Sequence, residues 1–184
     1  MAEPRTGPTT SPDLPASWQA ALPQGHDPQS LLIAVLLNRL GRRFEVALDD
    51  LLRDHGLLAS ESRVLGTLLF QGSPHELSPT RLNELVLLSS GGITKAISRL
   101  VDLGYVERRA DPGDGRGVLV RLTTAGAAVG AAVLGDLTAA VESRLRGFDP
   151  TRRGEVVDVL DEVLAAFGDR VLAGGGDVAT APVR

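Results

Sequence analysis

Ser78 to Gly126 reads SPTRLNELVLLSSGGITKAISRLVDLGYVERRADPGDGRGVLVRLTTAG. Its punctuation divides it into two helices and a hairpin. Ser78 followed by Pro79 predicts a helix start, because the serine caps and the proline sits in the first turn, where no donor is lost. That helix is expected to end near Leu87, and Ser89 or Ser90 opens the next. The inner face of the second helix is predicted as Ile93, Ile97, Leu100, Val101 and Leu103. Gly104 is placed to take the left-handed conformation that ends it. Tyr105 to Arg109 and Val118 to Leu122 alternate as strands, with the turn residues PGDG between them.

Outward from this stretch the pattern is helical. Residues 1–13 are rich in Pro, Thr and small side chains and are expected to be disordered. Leu14 to Leu22 predicts a short helix holding Trp18, closed by Pro23 and Gly25. Ile33, Leu36, Leu37, Leu40, Phe44, Ala47, Leu48, Leu51 and Leu52 recur at three- and four-residue intervals. They predict one long amphipathic helix from Asp27 or Pro28 to His55, stopped by Gly56. Ser60 is expected to cap a further helix to Phe70, ended by Gly72 and Pro74. After the hairpin, Thr123 or Thr124 caps a long helix to about Gly147. Asp149-Pro150 opens a last one with Val156, Leu160, Val163, Phe167 and Val171 along one side. Residues 173–184 are Gly- and Ala-rich and expected to fray.

The apolar stripes of the end helices exceed what the central unit can cover, so a twofold dimer that interleaves them is expected. The division that follows is a tail (1–13), an arm and dimerisation helix (14–56), a compact lobe (57–124), carboxy-terminal dimerisation helices (125–172) and a second tail (173–184). The fold class is mainly α with a small β-wing.

Charge and composition narrow the function. The chain carries 23 acidic and 19 basic residues, a net charge of −4. Residues 81–121 hold seven basic and five acidic side chains, and the remainder 12 basic and 18 acidic. A weakly basic face on an acidic body predicts modest, salt-dependent affinity for a polyanion. The longest apolar run, Leu31 to Leu37, falls far short of the roughly 20 residues that span a bilayer. Residues 1–13 lack the apolar core of a signal peptide. With no cysteine there is no disulfide and no thiolate metal site. The expected setting is cytoplasmic, without membrane contact. His26, His55 and His75 show no metal-ligand spacing and no nucleophile lies beside them, so neither an enzyme nor a cofactor or metal site is expected.

A helix presented after a tight turn, with a basic hairpin beside it, fits adjacent grooves of duplex DNA. Ser89, Ser90, Gly91 and Gly92 form the amino-terminal end of that helix, where free N–H groups and the positive dipole favour a phosphate. Thr94, Lys95, Ser98 and Arg99 fall on its exposed side. In the hairpin, Asp114 and Arg116 lie two apart. An arginine at a ribbon tip can enter the minor groove, and the aspartate can hold its guanidinium in place. These ten residues are the candidate DNA-binding set. Gly113, Gly115 and Gly117 sit between strands and do not make a dinucleotide fingerprint, which opens a helix.

SSGGITKAISRLVDLGYVERR followed by DPGDGRGVLVRLTTAG resembles the MarR family of winged helix-turn-helix regulators, in order and in separation. That resemblance implies an obligate dimer on a pseudo-palindromic operator, usually a repressor, released by a small aromatic or anionic effector bound between dimer helices and lobe. The amino-terminal helix with Trp18 is similar to the urate-responsive branch. There the resemblance implies a tryptophan, an aspartate and two arginines around the ligand. Val64 stands at the aspartate position and Ala96 at the first arginine position, while Arg108 keeps the second. Losing charge partners from a buried anion site is worth several kcal/mol, roughly, so a different or less anionic ligand is expected. Trp18, Arg63 and Arg108 are the candidate ligand residues. The rival reading is a winged-helix dimer acting through protein contact, or sensing a small molecule or metal, without specific DNA binding.

Overall fold

The computed structural model describes residues 15–86, 88–114 and 117–168. The chain divides into two compact units, residues 1–48 and 49–184. The expected tails, Leu87, Arg116 and Val171 lie outside the described residues.

In the first unit, a short helix α1 (Ala16–Ala21) carries Trp18, which is 41% exposed. Helix α2 (Pro28–Asp54) begins there and continues into the second unit. Asp27 caps it, accepting the backbone N–H groups of Gln29 and Ser30 and the Ser30 hydroxyl. The Gln29 N–H, then the Ser30 hydroxyl, hold the Asp27 carboxyl below its ordinary range. Along α2, Ile33, Leu36, Leu40 and Phe44 stay exposed at helical spacing.

The second unit is built on α3 (Ala59–Phe70), which packs on α4 (Pro79–Val86), α5 (Ser90–Asp102) and α6 (Thr124–Arg144). Gly56, at φ 65°, ends α2, as its position predicts. The expected Ser60 cap gives way to another device. α3 starts two residues earlier, from Leu58, and Glu61 reaches back to accept the Leu58 N–H at 2.9 Å. A glutamate at the third helical position satisfies a free donor as a capping side chain would. Ser78 Oγ accepts the Arg81 N–H at the start of α4.

The hairpin strands are β2 (Val106–Ala110) and β3 (Val118–Leu122), and a third, β1 (Glu76–Leu77), adds to the other edge of β3. The sheet is antiparallel in the order β1-β3-β2. Two residues give no alternation to see, so the sequence predicts two strands where there are three. Val106, Val120 and Leu122 are buried, while Glu107 to Ala110 are exposed. The outer half of the hairpin therefore extends past the core as a wing. Tyr105 precedes β2 rather than opening it. Leu103, expected on the inner face of α5, is 41% exposed: it is the C-cap residue, beyond the last buried side chain, Leu100.

One joint ties these elements together. Gly104, at φ 72°, ends α5. Its carbonyl accepts the Thr123 hydroxyl at 2.7 Å, and that oxygen accepts the Gly126 N–H at 3.0 Å. The Tyr105 carbonyl accepts the Thr123 N–H. A Cβ on Gly126 would collide with that carbonyl oxygen, so only glycine lets α6 begin there.

α6 ends at Arg144, short of the expected Gly147, and α7 (Pro150–Ala166) follows from its Asp149 cap. By length and composition α6 could cross a membrane. Gly126, Gly130 and Val133 are nevertheless buried on its lobe side, and the cavity between α3 and α6, about 20 Å³, is the size of one water. No residue of α7 is buried. His55 Nε2 lies 2.8 Å from Asp136 Oδ2 of α6. Among the described residues no three His, Asp or Glu side chains converge as metal ligands do.

Candidate nucleic-acid interface

α4 and α5 form the helix-turn-helix pair, and α5 is the helix presented outward. Ile93, Ala96, Ile97 and Leu100 are buried, a stripe that fixes which side faces solvent. Ala96 was not among the expected inner residues. An alanine carries little hydrophobic signal, yet Ala96 is buried, at 3% exposure.

On the opposite side the expected residues emerge together. Ser89, Ser90, Gly91, Thr94, Lys95 and Ser98 are exposed and Gly92 is half-buried. Ser89 is the N-cap, its Oγ accepting the Gly92 N–H at 3.2 Å. The N–H groups of Ser90 and Gly91 lie before the first helical carbonyl can reach them and stay available to an anion. A Cβ on Gly91 would meet nothing within 4 Å, so internal packing does not demand glycine there. The Thr94 hydroxyl donates to the Ser90 carbonyl at 2.9 Å, which leaves its oxygen able to accept.

Arg99 behaves differently from Lys95. Its Nη1 donates to both carboxylate oxygens of Glu61 at 2.6 Å, and its Nη2 donates to the Gly56 carbonyl at 3.2 Å. Glu61 was not singled out in the sequence. Its signal was present as a capping-type glutamate at the start of an apolar helix, but its partner lies 38 residues away.

Asp111 helps to close the wing turn. Asp111 accepts the Gly113 N–H at 2.8 Å and donates its own N–H to the Gly117 carbonyl at 2.9 Å. A Cβ on Gly117 would come within 2.9 Å of Asp111 Cβ, so the turn is too tight for another residue. Asp114 is exposed, and its carbonyl accepts the Gly117 N–H. Glu107 and Glu76 both stand opposite Arg121, from β2 and β1. Arg121–Glu76, at 4.0 Å, is half-buried and loose; Arg109–Glu107, within β2 at 3.9 Å, is exposed and loose, and exposed pairs contribute little.

Of the candidate ligand residues, Trp18 belongs to the first unit, and Arg63 on α3 and Arg108 on β2 to the second; all three are exposed. Arg108 shares its sheet face with Val106 and Ala110, opposite to Glu107 and Arg109. Val64 is fully buried.

Residues 55–117 match the model of the MarR family. The transcriptional regulator PecS of Dickeya dadantii is 28% identical over 117 residues, 64% of this chain and 70% of PecS. By the family match the segment 55–117 is a MarR-family region. Escherichia coli MarR, the multiple antibiotic resistance protein, is 32% identical over 94 residues, 51% of this chain and 63% of the relative. The crystal structure of a mutant of that relative, complexed with operator DNA, superposes with a TM-score of 0.61 at 25% identity, covering 76% of this chain and 99% of that one. A structure of Bordetella bronchiseptica BpsR, whose DNA binding 6-hydroxynicotinic acid regulates, gives 0.60 at 25% identity over 71% and 91%. The matches thus point to a transcription regulator of the MarR type.

Proposed function

We propose that this protein binds a pseudo-palindromic DNA operator as a homodimer in the cytoplasm, acts as a repressor, and is released by a small aromatic or anionic effector. The observation that carries the reading is α5: four buried residues hold it against the lobe, while its glycine-rich start, Thr94, Lys95 and Ser98 face outward together. Helix N-terminus and polar face suit the major groove, and the β2–β3 wing beside it suits the flanking backbone or minor groove. Escherichia coli MarR, similar over most of its length, has been crystallised on operator DNA.

Dimerisation is supported by the apolar side chains left exposed on α2 and α7, since surfaces of that kind mark association sites. The effector reading leans on the BpsR likeness and on Trp18, Arg63 and Arg108 as an aromatic group and two cations.

The test is titration of duplex DNA at several salt concentrations. Groove binding predicts that log K falls linearly with log salt. Replacing Lys95 by alanine should make that slope shallower by about one. Arg116→Ala should weaken operator binding by about 1–3 kcal/mol. A protein that retains no duplex at any salt would act through protein contact instead.

A further inference from the structure

Two cations sit on α5, and the structure treats them unlike each other. Lys95 is exposed. Arg99 is half-buried, and its guanidinium spans two fixed points: the Glu61 carboxylate and the Gly56 carbonyl. Glu61 is 1% exposed, and its second duty is to cap α3 by accepting the Leu58 N–H. Gly56 ends α2. A single side chain of the outward helix therefore reaches the corner where α2 turns into α3.

A buried carboxylate is stable only while it is paired. For Arg99 to leave Glu61 and reach a base or phosphate, that carboxylate would lose its only charged partner among the described residues. The planar guanidinium fork also resists rotation in a way that a single ammonium does not. Lys95 and Arg99 are four residues apart, on one line of the helix. Pinning Arg99 thus sets the azimuth at which Thr94, Lys95 and Ser98 are presented.

We infer that Arg99, clamped by Glu61, is a positioning residue that fixes the rotation of α5, and that Lys95 is the cation of this helix that meets DNA. The inference rests on the DNA-binding reading above. It separates two residues that sequence periodicity treats as equivalent.

The full chain is tested on a duplex selected by the wild-type protein from a random pool, and on a shuffled duplex of the same composition. Active protein is counted by stoichiometric titration and folding is followed by thermal unfolding. Arg99→Ala and Glu61→Gln should each lower affinity for the selected duplex about tenfold. The double variant should lose about tenfold as well, rather than about a hundredfold, because both changes release one clamp. Preference over the shuffled duplex should narrow, while the salt slope stays at the wild-type value.

The inference fails if Arg99→Ala flattens the slope by about one while Glu61→Gln leaves affinity unchanged or raises it by freeing the arginine. Should Glu61→Gln not fold, Arg99→Lys decides. Restored wild-type affinity and preference mean a charge contact and overturn the inference. A wild-type slope with narrowed preference supports it. Wild-type protein that retains neither duplex ends the DNA-binding reading and the inference together, whereas a slope lost with Arg99 ends the inference alone.

Discussion

α5 and α7 are both amphipathic by sequence, yet they end in different surroundings. Four of the 13 residues of α5 are buried, and none of the 17 of α7 is. α2 repeats the second outcome: over 27 residues it buries Leu52 alone. Periodicity says which side of a helix is apolar and leaves open what covers that side. The lobe helices cover one another within a single chain. The end helices keep Ile33, Leu36, Leu40, Phe44 and Leu160 exposed, and the proposed dimer rests on that face.

The sharpest way to break this contrast lies on α6. Gly126 meets the Tyr105 carbonyl in the closed half of the molecule, where an added Cβ collides with backbone. Gly126→Ala should cost about 3 kcal/mol or more, since neither partner is a flexible side chain. Gly130→Ala, four residues on, would make only ordinary contacts at 3.7 and 3.8 Å with Leu69 and Leu65. It should fall within about 0.5 kcal/mol of wild type, helped by alanine's better helix propensity. Chemical denaturation of both variants measures the pair. Equal effects would mean that the joint is not a closed contact.

The next effect falls on the open half. Leu36 is 52% exposed. In a lone chain, Leu36→Glu should shift stability by no more than about 0.5 kcal/mol. Across a twofold interface each change appears twice, and burying an unpaired carboxylate there should weaken association by about 2 kcal/mol or more. Sedimentation should then show the variant dissociating at concentrations where the wild type remains paired. An unchanged sedimentation profile would remove α2 from the interface.

The sequence carried most of the architecture because its punctuation is chemical. Asp27, Ser78, Ser89, Thr123 and Asp149 are caps whose side chains bind free N–H groups, and Gly56, Gly72 and Gly104 take positive φ at helix ends. What it hid depends on contacts distant along the chain. β1 is too short to alternate and exists because β3 offers it an edge. Ala96 is buried in a fold that packs α3, α4 and β2 against α5. Arg99 looks like any exposed cation until the fold brings Glu61 to it. The outward set from Ser89 to Ser98 was legible because it is the complement of an apolar stripe on one helix. Asp111 was missed in the wing because its role depends on the closeness of Gly117.

The smallest effect compares two caps of similar chemistry. Ser89 Oγ accepts the Gly92 N–H at 3.2 Å at the start of α5, and Asp149 Oδ1 accepts the Arg152 N–H at 2.8 Å at the start of α7. Removing either by alanine should cost about 1 kcal/mol of stability, measured by denaturation. Their consequences for DNA should part. Fraying the first turn of α5 disturbs the N–H groups of Ser90 and Gly91 that face outward, so Ser89→Ala should lower duplex affinity beyond what its lost stability accounts for. Asp149→Ala should leave affinity per active protein at the wild-type value, since α7 lies outside the helix-turn-helix pair. If both variants bind alike once active protein is counted, the amino-terminal turn of α5 is not part of the contact, and the weight of recognition shifts to the wing.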